Sequence, residues 1–131
     1  MRELKEALRK AIIGTTEVRS LIGDRFYPGH LAKIPNPVYP CACFSVDGGN
    51  PDPDMPPISM PTFNIWVYSK NSFDESWRIY EKIKKAIHHS LVSTTEGRWI
   101  TKEDTNPFEV YDDIGKIYFI SAGWRAGGIV S

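Results

Sequence analysis

The stretch "FNIWVYSKNSFDESWRIYEKIKKAI", residues 63–87, decides how the chain folds. Phe63, Ile65 and Val67 alternate with Thr62, Asn64, Trp66 and Tyr68, the period-two pattern of a strand with one buried face. The second face is half aromatic, so it too expects partial cover. The period then changes. Ser72 followed by Glu75 fits a capping box, in which the serine oxygen accepts a first-turn N–H and the glutamate reaches back. Trp77, Tyr80, Ile83, Ala86 and Ile87 recur at three and four, with Ile79 widening the stripe of an amphipathic helix. Glu75, Arg78, Glu81, Lys82, Lys84 and Lys85 fill the solvated face. A Glu81–Lys85 pair at i,i+4 would add ~0.3–0.5 kcal/mol. The segment is a strand, a tight capped connection and a helix that packs back on the sheet.

The same reading extends in both directions. Leu4, Leu8, Ala11 and Ile12, with Ala7, form a helical stripe over residues 2–13 that ends at Gly14. Thr15 or Thr16 caps a short second helix carrying Val18, Leu21 and Ile22, closed by Gly23. "DRFYPGHL" is a short strand broken at Pro28-Gly29, and the next strand begins near Val38 or Tyr39 and runs to Gly48. Residues 47–61, "DGGNPDPDMPPISMP", hold five prolines, a long connection where two to five residues normally suffice, and read as a protruding hairpin arm. Beyond the central helix come a strand around Arg98–Lys102, a loop at Asp104–Pro107, a segment Phe108–Tyr111 left open as a further short strand, and a turn at Asp112-Asp113. The closing strand is apolar on both faces, Ile117, Phe119 and Ser121 against Tyr118, Ile120 and Ala122, which places it centrally. The order α-α-β-β-β-α-β-β describes one α+β domain over residues 1–131, a mainly antiparallel sheet packed against helices.

Composition narrows the function. Sixteen basic and sixteen acidic residues cancel, which argues against a dedicated, sequence-specific nucleic-acid binder and leaves little charge repulsion to oppose self-association. No apolar run approaches the ~20 residues that span a bilayer, and the charged N-terminus lacks a signal-peptide core. The expected compartment is therefore a cytoplasm. Cys41 and Cys43, two apart on one strand, read as small buried residues rather than a disulfide, metal or redox pair.

Candidate chemistry is sparse. Adjacent helical positions diverge by ~100°, so His88-His89 does not have the spacing for one metal; near a helix C-terminus the pair reads as favourable to the last carbonyls. His30 stands beside a Pro-Gly turn without a partner in sequence. Asp47, Asp52 and Asp54 lack the donor alternation of a calcium loop. No phosphate cradle, G-x-S-x-G or H-E-x-x-H occurs, and the expectation is no enzyme, no cofactor and no metal. A small enzyme would need His30, a cysteine and the aspartates to converge in one pocket. Four tryptophans, six tyrosines and six phenylalanines leave a second reading open for Trp66 and Tyr68, core or interface.

"SLIGDRFYPGHLAKIPNPVYPCACFSV", "FNIWVYSKNSFDESWRIYEKIKKAI" and "DIGKIYFISAGWRA" follow, in that order, the pattern of tail terminator (tail completion, head–tail joining) proteins of long-tailed bacteriophages and prophages, which the chain resembles over residues 2–125. Gly23, Arg25, Tyr27, Pro28 and Gly29 stand for that family's glycine–arginine–tyrosine turn, and Asp112-Asp113 for the acidic turn before its closing strand. The resemblance implies a non-catalytic virion subunit that assembles as a ring, typically a hexamer. Such a ring caps the finished tail tube, ends its growth and meets the head–tail connector. The implied partners are copies of itself, the tail tube protein and the connector, at the head-proximal end of the tail, with assembly in the host cytoplasm. A stopper or an adaptor of the same joint is the alternative. Residues 47–61 and strand 62–69 are expected to form one side of the subunit interface, through Asp47, Asn50, Asp52, Asp54, Met55, Trp66 and Tyr68.

Overall fold

A computed structural model describes residues 2–46, 58, 59, 61–94 and 97–130. Three helices, α1 (Arg2–Ile13), α2 (Thr16–Ile22) and α3 (Phe73–Ile87), lie against one face of an eight-stranded sheet. The strands are β1 (Phe26–Pro28), β2 (Cys41–Val46), β3 (Ile58–Ser59), β4 (Thr62–Ser69), β5 (Ser90–Ser93), β6 (Gly97–Glu103), β7 (Phe108–Asp112) and β8 (Ile117–Val130). A 3-10 turn, Leu31–Lys33, follows β1. The fold is α+β, antiparallel except for the parallel pair β1–β2.

The closing strand is central. On one flank β8 pairs with β4 through Ser69↔Tyr118 to Thr62↔Arg125, and beyond that with β3 at Ser59↔Gly128. On the other it pairs with β7 from Asp112↔Ile117 to Phe108↔Ser121 and with β6 from Glu103↔Trp124 onward. Between β7 and β6 the ladder is interrupted at the expected 104–107 loop. There the Gly123 carbonyl accepts N–H bonds from Asp104 (2.8 Å) and Thr105 (3.2 Å), while the Gly123 N–H donates to Thr105 Oγ1 (3.1 Å). A Cβ at position 123 would lie 2.7 Å from that oxygen, so the junction requires glycine.

Alternation sorts the sheet into two faces. Ala42, Phe44, Phe63, Ile65, Val67, Val92, Trp99, Ile120, Ala122, Trp124 and Ala126 turn to the helices and join Leu4, Leu8, Ile12, Val18, Ile22, Ile79, Tyr80, Ile83 and Ile87 in one core. Phe63 stacks on Trp124 (5.8 Å) and Phe26 on Phe44 (4.6 Å). A hydrogen-bond chain ties α3 to the sheet: Trp124 Nε1 donates to Tyr80 Oη (3.1 Å), and that hydroxyl donates to Glu103 Oε2. Burial and the Glu103 bond push the Tyr80 hydroxyl far above its usual range, so it stays a donor.

The structure corrects several local expectations. Strand β2 starts at Cys41, not at Val38 or Tyr39, and is described as far as Val46; the expected end at Gly48 lies outside the described residues. The Arg25 side chain donates to the Pro40 carbonyl (2.9 Å), and the Ala42 N–H to the Arg25 carbonyl (3.0 Å), which holds β1 beside β2. Gly23 (φ 60°) and Gly29 (φ 90°) supply the two left-handed turns of that motif. Thr15 is the N-cap residue of α2, but its hydroxyl donates to the Ala11 carbonyl (3.0 Å) instead of capping, and Ala11 itself is exposed. Lys82 and Lys85 both reach Glu17 of α2 (3.0 and 3.6 Å) rather than forming a Glu81–Lys85 pair. Strands β3 and β5 join the expected set; β5 follows α3 through a two-residue turn in which His89 takes φ 58°.

The entry to α3 is also more elaborate than a capping box. Ser72 Oγ accepts the Glu75 N–H (3.1 Å) as expected. Glu75 reaches back past Ser72, however, accepting from Ser69 Oγ (2.6 Å) and from Asn71 Nδ2 (3.2 and 3.3 Å). Ser69 Oγ in turn accepts the N–H groups of Asn71 (3.0 Å) and Ser72 (3.3 Å). Ser69 is fully buried, so Ser69→Ala strands the Asn71 and Ser72 N–H groups, removes one donor from Glu75, and should cost about 1–3 kcal/mol in urea unfolding. A loss under ~0.5 kcal/mol, the level of an ordinary surface change, would show that water replaces the hydroxyl.

Candidate assembly surface

The sheet face turned away from the helices carries a second set of side chains, arranged in rows across the strands. Reading across it, Cys41, Tyr68, Phe119 and Val110 form one row, and Cys43, Trp66, Ser121 and Phe108 the next. Lys102, Arg125 and Thr62 form a polar row, followed by Leu91, Ile100 and Gly127 at the far end of β8. Loop 29–40 covers the first two rows in part: the His30 ring lies 5.3 Å from Trp66, and Tyr68 packs on Phe119 at 5.2 Å. Trp66 and Tyr68 are therefore half-buried, sharing core and surface character. Asp47, Asn50, Asp52, Asp54 and Met55 lie outside the described residues.

Between loop 29–40 and the turn after β7 runs a groove of about 500 Å³, lined by Ile34, Pro37, Tyr39, Tyr68, Ile117 and Phe119, with His30 and Asp112 also on its wall. Burial raises the Tyr68 hydroxyl well above its usual range, so it presents a neutral O–H. Neither cysteine lines the groove. Cys41 and Cys43 are free and fully buried. Burial pushes their thiols up to about 11 and about 12, leaving them protonated and inert at neutral pH. Among the described residues no group of three or more His, Cys, Asp or Glu side chains is placed to hold a metal, and no helix is long and apolar enough to cross a membrane.

The two neighbouring histidines do not serve the helix end in the expected way. The terminal carbonyls of α3 are taken by Thr101 Oγ1 on Ile87 and by Ser90 Oγ on Ala86 (3.1 Å). His88 instead packs its ring on Trp124 (5.9 Å, edge-on) and on His89 (3.9 Å), and its Nδ1 accepts the Glu103 N–H (3.3 Å). Desolvation, then His89 and Lys84, hold His88 below its ordinary value, with Glu103 opposing.

Sequence reasoning missed the outermost apolar side chains. Ile114, at the apex of the β7–β8 turn, is 97% exposed, Leu91 62%, Phe108 57% and Ile100 53%. The turn that carries Ile114 is held firmly: Asp112 Oδ1 accepts the N–H groups of Ile114 (3.1 Å) and Gly115 (3.2 Å). Ile100 and Phe108 stood on anticipated strands, but which face would stay open followed only from the three helices gathering on the other one. Large apolar groups held rigidly in water are a signature of contact surfaces.

No protein-family model matches the chain, and no curated protein matches it. Among solved structures it is similar to a chain in "Virion of native gene transfer agent (GTA) particle", with a TM-score of 0.78 and 14% identity, over 99% of this chain and 96% of that one. At that identity the likeness establishes the shared fold from end to end.

The His88 arrangement makes a pH-dependent contribution to stability. Because the folded state favours the neutral ring, its contribution is full above the ordinary value of 6.5 and declines as pH falls through the lowered one. Thermal midpoints should therefore drop on acidification, and less steeply in His88→Asn, whose Oδ1 can accept the same N–H. Parallel curves for the two proteins would remove His88 from the account.

Proposed function

We propose that the chain is a structural protein of a phage-like virion that assembles as a ring, typically hexameric, to cap the tail tube and meet the head–tail connector. The observation that carries the reading is the end-to-end likeness to a virion chain, with nearly the whole of each chain in the alignment. The exposed apolar side chains at two ends of the sheet, the protonated buried thiols and the zero net charge support it. Fold alone does not assign a function; what favours assembly over catalysis is that the open face offers apolar area and no reactive pair among its described residues. The sequence-based interface, Asp47, Asn50, Asp52, Asp54, Met55, Trp66 and Tyr68, belongs to the same proposal, with the half-exposed Trp66 and Tyr68 as its described members.

Light scattering over a concentration series, with negative-stain images of any large species, tests this directly. The expected product is a ring near six times the 14.9 kDa chain mass, reduced to smaller species by deletion of residues 49–57. A ring that survives the deletion removes the 47–61 segment from the interface. A chain that stays monomeric at every concentration, and also fails to form rings on isolated tail tubes, rules out the tail-capping role.

A further inference from the structure

Two exposed patches of opposite charge lie at opposite ends of β8. The first is the β7–β8 hairpin tip. Ile114 stands in water on a turn braced by Asp112, with Asp113 beside it, Glu109 and Tyr111 exposed on the adjoining strand and Lys116 the local cation. The second is the far end of the open face. There Leu91 and Ile100 are direct cross-strand neighbours, and Ile100 faces Gly127, whose missing side chain leaves a hollow in the row. Arg98 and Lys102 flank Ile100 at two residues on either side of it along β6, and Arg125 pairs with Lys102 in the ladder while bound to Asp104 (3.2 Å). An acid-flanked apolar knob thus sits at one end and a base-flanked apolar hollow at the other.

Within one chain they cannot meet. Ile117 beside the knob and Gly127 beside the hollow stand at the two ends of one strand, roughly 30 Å apart at ~3.3 Å per residue. Two copies placed head to tail bring them together, and a contact between unlike patches is the heterologous kind that closes rings. We infer that Ile114 of one copy seats against Leu91, Ile100 and Gly127 of the next, with Asp113 and Glu109 facing Arg98 and Lys102. The knob's rigidity limits the ordering cost of the contact, and the flanking charges fix its polarity, since knob-to-knob or hollow-to-hollow contacts set like charges together. This inference rests on the ring reading but is separable from it. Neither patch includes a residue of the 47–61 segment.

The test is pairwise cross-linking. Ile114→Cys and Ile100→Cys chains are prepared separately, mixed and oxidised; the buried, protonated Cys41 and Cys43 do not compete. Both substitutions are at exposed positions, so folding is expected to hold, and thermal midpoints matching the parent chain verify it. The unlike pair should give covalent dimer several-fold above either chain alone and above Ile114→Cys mixed with Glu81→Cys on the solvated face of α3. A chain carrying both cysteines should give a ladder ending at the ring number. If light scattering finds a ring and the unlike pair cross-links no better than the control, this contact is wrong while the ring reading stands. If the unlike pair cross-links but the chain forms only linear or dimeric species, the contact stands and the ring reading fails. If neither ring nor preferential cross-link is found, the contact is wrong.

Discussion

Everything in this molecule is registered by the pairing of β8 along both of its edges. Fourteen residues of one strand template β3 and β4 on one flank and β7 and β6 on the other, so a single register error would displace most of the sheet at once. The strand tolerates this load because its helix-facing positions, Ile120, Ala122, Trp124 and Ala126, vary from small to large where the facing layer needs it. Trp124 is the deepest of these anchors. Its ring stacks on Phe63, receives the edge of His88 and lends its N–H to Tyr80. One side chain thereby joins the central strand to its neighbour, to the long helix and, through Tyr80 and Glu103, to the strand beyond.

That arrangement also explains why one face of the sheet is left for other uses. All three described α-helices are drawn to the side where Trp124 and Phe63 lie, and no α-helix among the described residues covers the opposite side. Loop 29–40 shields the Cys41–Tyr68–Phe119 end, making a groove rather than a seal. The other end of the face, around Leu91 and Ile100, has no such cover among the described residues. Apolar area that folding leaves in water drives association when a matching surface exists.

Much of this was legible in the sequence because the decisive signals are local. Period-two alternation in residues 62–69, the Ser72 cap and the spacing of Tyr80, Ile83 and Ile87 each report their own structure without reference to the rest. The two-sided apolarity of Ile117 to Ala122 even announced a central strand. What escaped was set by non-local contacts. The last residues of β8, Ile129 and Val130, follow the pair Gly127-Gly128, a composition that argues against a strand unless neighbours on both sides enforce it. Strand β5 is four residues hung on a two-residue turn, and only its pairing with β6 defines it. Glu75 looked like half of a capping box because sequence shows the residue three positions on, not Ser69 folded back beside it. The exposed Ile114 was hidden for the same reason: an isoleucine next to Gly115 reads as strand until the Asp112 turn is seen to hold it out.

The zero net charge takes on a different meaning once the charges are placed. A uniformly neutral surface with several exposed isoleucines and leucines would associate in any orientation, which for an assembling subunit is a route to aggregates. Here the acidic residues near Ile114 and the basic residues near Ile100 separate the two signs along β8. In the proposed contact each apolar patch would be repelled by its own kind and drawn to the other, giving a direction to a pairing that hydrophobic burial alone leaves undirected. Under the same proposal, cancellation over the whole chain would keep net repulsion from opposing the addition of a further copy. For a subunit that assembles as proposed, neutral total charge and segregated local charge are two requirements of one task, since a chain that met only the first would stick to itself without a defined geometry.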